Sequence, residues 1–461
     1  MATDGQILAD DSASAQNASG LRFMLRALQH RNYRLFFIGQ GVSLIGTWLT
    51  TTATSWLVLI LAHRNGLLAA ATVLGIVRFA GMIPMSLLAP VAGVFVDRLN
   101  RHKVLVATQI LSMLQSAALA ILTFSGKINV PWIIGLSVFQ GLVNAFDAPA
   151  RQAFVVEMVT RREDLANAIA LNSSMFNGAR LLGPAIAGLL IAAVGEGVCF
   201  TIDAVSYLAV IVALLVMTQL PREAHPRKQN AWRELLEGFF YAIGFAPVRA
   251  LLLLSGLISF TVASVQTLMP IFADKVAAPG HGAAVFGFLG AAIGIGALAG
   301  GIFLASRRSV VGLGRAIAAA SMLGGVAMIA FASTQLLPVM LISSVFAGFG
   351  MIVTFAASNT LLQTLVDDDM RGRLMSFFIV AVMGAAPIGS LIAGWVADRI
   401  GEPRTVILTG IASLVGGILF LLKLKSLRAL VHPIYIRKGI IPQVATGLQA
   451  ATHVDASNEG Q

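Results

Sequence analysis

The chain alternates long apolar runs with short charged or Pro/Gly-marked breaks. A hydrocarbon core of about 30 Å needs roughly 20 apolar residues per spanning helix, and twelve runs meet that length. The first six lie near 33–62, 69–96, 104–125, 131–158, 166–194 and 197–219. The second six lie near 248–274, 283–305, 312–333, 338–365, 372–398 and 404–424. None alternates with a period of two, and backbone groups in lipid must be bonded within their own segment. The pattern therefore predicts an all-α integral membrane protein with twelve transmembrane helices. Its divisions are an N-terminal segment 1–32, a six-helix half 33–219, a linker 220–247, a second six-helix half 248–424 and a tail 425–461. The linker opens with PREAHPRKQN and continues with Trp232, Leu235, Leu236, Phe239 and Phe240 at helical spacing. That spacing predicts an amphipathic helix at the membrane surface.

A weak internal repeat relates the two halves. GPAIAGLLIAAVG (183–195) and GSLIAGWVADRIG (389–401) share Gly183/Gly389, Ile186/Ile392, Ala187/Ala393, Gly188/Gly394 and Gly195/Gly401 at one offset. Single matches are common in Gly/Ala-rich helices; their agreement between equivalent helices of each half carries the information.

Charge sets the orientation. With both ends on one side, segments on that side hold 25 of the 32 Lys and Arg residues, and the opposite loops hold 5. By the positive-inside rule both termini are expected in the cytoplasm. Residues 1–20 are polar and lack the apolar core of a cleaved signal peptide, so the first span is expected to act as its own insertion signal.

Composition excludes several classes. Hydrophobic residues make up 57% of the 461 and charged residues 11%, far below the roughly 25% charged of a soluble domain. The net charge of +11 falls in short groups between spans rather than on one basic face, so nucleic acid is not an expected partner. Cys199 is the only cysteine, which rules out an intramolecular disulfide, and it is read as a small buried residue. No helix carries a His pair with metal spacing, and no GxxxxGK[ST] phosphate loop is present. Neither an enzyme nor an ATP-driven pump is expected, and no cofactor or metal.

One loop names a family. After the second span comes GVFVDRLNRHK (93–103), a glycine, three residues, Asp-Arg, then a turn and further basic residues. It resembles the signature loop of the major facilitator superfamily. Gly93, Asp97, Arg98, Arg101 and Lys103 match it. Asn100 stands where glycine is usual and is expected to take a left-handed conformation in its place. Asp97 would sit at a helix C-terminus, where the macrodipole disfavours a carboxylate, so it should seek a cation or a helix N-terminus. In the resembling family that aspartate meets the start of helix eleven and holds the cytoplasmic side closed; here Arg371, Gly372 and Arg373 occupy that start. NAFDAPARQAFVVEMV (144–159), LANAIALNSSMFNGARLLGPAIAG (165–188), EGFFYAIGF near 240 and DMRGRLMSFF (369–378) are similar to the branch containing the enterobactin exporter and macrolide-efflux-like proteins. The resemblance covers about residues 22–425. It implies two pseudo-symmetric six-helix halves around a central cavity that opens to each side in turn.

Polar residues in spans point to that cavity, because lipid-facing ones are costly. Gln140, Asn144, Asp147 and Arg151 share a face of helix four; Ser173, Asn177, Arg180 and Pro184 share one of helix five; Gln40, Ser43, Thr47, Thr50 and Thr54 follow helix one. At about 1.5 Å per residue, Arg180 lies roughly 21 Å and Arg78 roughly 14 Å into their helices, near mid-membrane. The expected substrate cavity is therefore Arg78, Gln140, Asn144, Asn177 and Arg180, a positive centre for an anionic or oxygen-rich compound, balanced by Asp203. Asp147 and Asp203 are the acids well inside spans and become the candidates for proton coupling. Two family motifs are incomplete: Ser137 replaces an arginine in helix four, and Gly183-Pro184 with Gly188 only partly matches the antiporter motif, so uniport stays open. The expected function is export of a small amphipathic, siderophore-like or drug-like compound from a bacterial cytoplasm, by a monomer in the inner membrane, with protons as the coupling partner. Movement of lysophospholipid or another lipid, and a non-transporting receptor or scaffold of the same fold, are the alternatives.

Overall fold

The computed structural model of the protein describes residues 25–64, 69–159, 161–218, 241–307, 309–438 and 440. Twelve of its helices are long and apolar enough to cross a membrane. They are α1 Arg31–Arg64, α2 Ala70–Arg98, α3 Arg101–Phe124, α4 Val130–Met158, α5 Arg162–Val194 and α6 Glu196–Val216, then α7 Ala246–Val276, α8 Gly282–Ala305, α9 Leu313–Ala332, α10 Leu337–Leu365, α11 Asp368–Ile400 and α12 Glu402–Arg437. The twelve expected spans are all present, and no strand occurs among the described residues.

Local chemistry sets the helix ends. Asn129 accepts a bond from the Trp132 amide and Pro131 occupies the first turn of α4, the residue types expected at a helix start. Asn100 does the same for α3, its side chain accepting from the Lys103 amide at 3.1 Å. Its φ of −74° and ψ of 108° are extended, so the expected left-handed turn does not form. Asn100 acts instead as an N-cap, with its side-chain oxygen as the acceptor.

The repeated Gly195 and Gly401 each form the whole connection between two helices, α5–α6 and α11–α12. Their φ/ψ values, 82°/170° and 91°/150°, lie in a region essentially closed to residues with a Cβ. The repeat thus encodes the same one-residue corner in each half.

The last helix runs 13 residues past the expected end at 424, into the segment read as tail. Lys423, Lys425 and Arg428 end the apolar run, yet a helix beyond lipid needs only one apolar stripe. Leu424, Leu427 and Val431 supply it, packing into the second half. Residues 220–240, which hold most of the expected amphipathic helix, lie outside the described residues, as do 1–24 and 441–461; Tyr241–Gly244 are helical.

Three apolar clusters determine how the halves meet. One gathers Tyr33, Phe36, Leu105, Phe154 and Leu214 of the first half at the face carrying the chain ends. A second gathers Leu251, Leu313, Leu361 and Leu427 of the second half at the same face. The third lies at the opposite face and crosses between halves, joining Leu57, Leu74 and Phe200 to Leu268, Phe272 and Leu289. Small residues allow this closure. A Cβ on Gly188 would meet Gly287 and the Ala283 carbonyl, joining α5 to α8, and one on Gly394 would strike the Ala71 carbonyl, joining α11 to α2. Among the described residues the two halves share an apolar core at one face and have separate cores at the other.

Gly195→Ala and Gly401→Ala are each expected to destabilise the protein by about 1–3 kcal/mol, because alanine must adopt the same backbone. Gly135→Ala, with open space around its Cα, is expected to change little. Thermal unfolding in detergent distinguishes these outcomes.

Candidate functional site

A cavity of about 360 Å³ lies between the halves, with walls from α1, α2 and α5 of the first and α7, α8, α10 and α11 of the second. Both mid-membrane arginines line it. Arg78 donates through Nη2 to Oε1 of Gln266 on α7 at 2.5 Å, while its Nε is buried without an acceptor. Arg180 faces the same space from α5. Among the described residues neither arginine forms an ion pair. Trp48, Phe286, Met351 and Phe355 supply apolar wall. Two cations and an aromatic, methionine-bearing lining make a site for a molecule with an anionic or oxygen-rich end and an apolar body.

A second cavity of about 240 Å³ adjoins it on the side of the first half, with Arg78 in the walls of both. Its lining is hydroxyl- and amide-rich, including Thr50, Thr54, Ser137, Gln115 and Gln140. Gln140 donates to Ser112 Oγ and to Asn144 Oδ1, each at 3.1 Å. Gln140 therefore joins the site through the smaller chamber, and Asn144 stands behind it. Asn177 is not in either wall; its amide donates to the Ser173 carbonyl one turn back at 2.9 Å. The expected group of five is thus divided: Arg78, Arg180 and Gln140 line connected space, and Asn144 and Asn177 do not.

The two acids have different surroundings. Asp147 accepts from Thr108 Oγ1 at 2.9 Å and Gln109 Nε2 at 2.8 Å, and pairs with Arg151 at 3.5 Å. Arg151 in turn lies over the Phe176 ring. Asp203 is 1% exposed, and no cation pairs with it among the described residues. Its Oδ2 accepts from Thr50 and Ser116, each at 2.7 Å, while Oδ1 has no partner. Gly46 of α1 makes room, since a Cβ there would collide with the carboxylate. The expected balance between Asp203 and the arginines is not a direct contact: the carboxylate is bound by hydroxyls. Thr50 is also a wall residue of the smaller chamber, which leaves Asp203 one hydroxyl from that space.

At the loop after α2, Arg101 pairs with Glu157 at 2.5 Å, tying α3 to the end of α4 within one half. His102 bonds the Leu214 carbonyl of α6 at 2.8 Å. Gly93 has open space around it, and Arg98 and Lys103 are exposed. Arg371 and Arg373 lie in the first turns of α11, with Arg373 donating to the Met370 sulfur at 3.4 Å. The side chain of Asp97 lies outside the described part of the structure, so its expected contact with α11 does too.

Gln266, Ser259 and the aromatic wall of the second half were not expected from the sequence. Gln266 carries a usable signal: it is an amide in the middle of an apolar run, seven residues and two helical turns from Ser259.

A family model described as transmembrane secretion effector, a branch of the major facilitator superfamily (MFS), matches residues 24–433. The chain belongs to this family of membrane transporters. It is 27% identical over 386 residues to the staphyloferrin A transporter of Staphylococcus aureus, covering 83% of this chain and 93% of that one. It is 26% identical to the multidrug efflux pump Tap of Mycolicibacterium fortuitum, over 83% of this chain and 93% of that one. It is 24% identical to macrolide efflux protein A of Streptococcus pyogenes, over 83% and 94%. Solved structures share the fold. The peptide transporter POT in complex with alafosfalin has a TM-score of 0.68 at 14% identity, over 87% of this chain and 95% of that one. A bacterial homologue of the human lysosomal transporter Spinster has a TM-score of 0.63 at 14% identity, over 84% and 96%. The protein is a multi-pass membrane transporter and not an enzyme.

For this transporter, Asp147→Ala is expected to destabilise by about 2–3 kcal/mol, because it leaves Arg151 without its carboxylate and Thr108 and Gln109 without their acceptor. Asp203→Asn keeps an oxygen for Thr50 and Ser116 and is expected to cost under about 1 kcal/mol. Paired thermal melts check the difference.

Proposed function

We propose that this transporter exports a small amphipathic compound with an acidic end from a bacterial cytoplasm, by alternating access and at the expense of a proton gradient. The observation that carries the reading is the pair of guanidinium groups in one cavity between the halves, unmatched by any carboxylate among the described residues. A charge held inside a membrane span without a counter-ion is costly unless it is solvated, and Arg180 is exposed to the cavity while Arg78 is half-buried. Water or an anionic ligand removes that cost, and a substrate carboxylate can bind two guanidinium groups in several hydrogen-bonding arrangements. The names of the relatives support small organic cargo: a staphyloferrin, macrolides and drugs.

Charge and kinship support the location. The excess of basic residues supports a cytoplasmic position for the face with both chain ends, and the bacterial relatives support the inner membrane. The apolar cluster that joins the halves at the opposite face supports entry of cargo from the cytoplasmic side. A monomer suffices, since one chain supplies every wall of the cavity.

Asp203 is the better candidate for coupling. Its free Oδ1 and its Thr50 bond at the edge of the smaller chamber leave room for a proton to be held or released. Asp147 is committed to Arg151. A proton gradient supplies about 1.36 kcal/mol per pH unit, with about 2.3 kcal/mol per charge per 100 mV from the membrane potential.

Proteoliposomes of the purified protein, given acidic and cationic compounds of matched size under an imposed pH gradient, test this reading. Acidic compounds are expected to move, with Arg180→Ala and Arg78→Ala each weakening their binding about 100-fold. Asp203→Asn should abolish proton-driven accumulation while binding persists. Unchanged binding in both arginine variants, or preference for the cationic set, contradicts the proposal.

A further inference from the structure

We infer that Asp398 is a gating latch, a carboxylate at the end of α11 that caps α2 of the other half and holds the face opposite the chain ends closed. The start of α2 lacks a cap of its own. Its N-cap residue is Ala69, which has no side-chain acceptor, so the first-turn amides need a partner from elsewhere. Asp398 supplies both: Oδ1 accepts from the Ala71 amide at 3.2 Å and Oδ2 from the Thr72 amide at 2.7 Å. The two residues are 326 positions apart in sequence and lie in different halves.

The electrostatics run in one direction. Asp398 lies in the last turn of its own helix, where the macrodipole disfavours a negative charge. The N-terminus of α2 is the positive end of another, so joining them relieves both ends. Arg399 does not neutralise the aspartate; its guanidinium lies over the Trp395 ring at 3.4 Å from the centroid and donates to the Trp395 carbonyl. Close packing of α2 and α11 holds the contact in place. A Cβ on Gly75 would strike the Ser390 carbonyl, just as one on Gly394 would strike that of Ala71.

The sequence around Asp398 also repeats the one around Asp97. Gly394, three residues, Asp398 and Arg399 reproduce Gly93, three residues, Asp97 and Arg98. These are not equivalent helices of the two halves. They are the antiparallel pair α2 and α11, so each helix ends in the same G-x₃-D-R sequence, one at each face of the membrane. Asp398 meets the first turn of α2 in the described state. The matching role for Asp97 at the start of α11 is the one implied by the family resemblance. One helix pair thereby carries two latches of like chemistry, and rocking the halves exchanges one for the other. The latch rests on the alternating-access reading above.

The test is the distance between spin labels on the full-length chain in lipid nanodiscs, measured by double electron–electron resonance. Lys127→Cys in the α3–α4 turn and Ala278→Cys in the α7–α8 turn place one exposed label on each half at the latched face, in a Cys199→Ser background. The unaltered latch is expected to give mainly the short distance. Asp398→Ala is expected to raise the ratio of long to short distances about tenfold or more, since two charge-assisted bonds are lost. Asp398→Asn provides a second route: the amide keeps the side chain's shape and one oxygen acceptor but removes the charge and the second acceptor. It is expected to shift the ratio the same way, by a smaller factor. Unchanged distances in both variants overturn the latch. If the unaltered protein also keeps one distance at every pH and with every compound tried, alternating access falls with it; if it switches normally, only the latch does.

Discussion

Two guanidinium groups near the middle of a bilayer set the terms for the rest of this structure. Neither Arg78 nor Arg180 forms an ion pair among the described residues, and only Gln266 bonds one of them. Such charges cannot be left against lipid, so the helices that bear them must surround water or a ligand. The cavity between the halves satisfies that requirement. Its other residues are consistent with the same demand, with hydroxyls and amides around Arg78 in the smaller chamber and aromatic and methionine side chains in the larger.

A cavity between two bodies is useful to a transporter only if the bodies can part on either side. The distribution of apolar cores bears on this. Each half has a private cluster at the chain-end face, while the cluster at the opposite face is shared. Motion that opens the shared face would break apolar contacts there without disrupting either private core. Backbone-to-backbone contacts at Gly188/Gly287 and Gly75/Gly394 suit such a seam, since small residues bring helices together without interlocked side chains. The carboxylate of Asp398 adds a polar contact at the rim of the same seam.

Much of this was legible in the sequence because lipid imposes a coarse rule. A run of about twenty mostly apolar residues reads as a spanning helix even with one charge inside it, so the twelve spans stand where expected. The repeat at Gly195 and Gly401 was legible as well, and its meaning is a one-residue corner that needs glycine. The end of α12 was missed because charge stops an apolar run without stopping a helix. Asn100 was misjudged for a related reason: asparagine suits both a left-handed turn and an N-cap, and only backbone angles separate them.

The site was legible in one half only. Helical spacing placed Arg180 and Gln140 on inward faces and depth in the span singled out Arg78, but Asn177, at the same spacing as Arg180, bonds its own helix. Spacing gives a face, and says nothing about whether a short side chain bonds its own backbone first. The second half contributes mainly apolar side chains, with Ser259 and Gln266 as the polar ones, and these resemble ordinary core until the opposing half is in place. Asp203 and Asp147 were equals in the sequence; their partners, hydroxyls for one and an arginine for the other, distinguish them only in three dimensions.

The most direct measurement of the central claim is an experimental structure of the transporter with an acidic amphipathic compound bound. The ligand's carboxylate should lie within hydrogen-bonding distance of both Arg78 and Arg180, with its apolar body against Phe286 and Phe355. A ligand bound away from both guanidinium groups, or a carboxylate of the chain itself filling the space between them, would contradict the account.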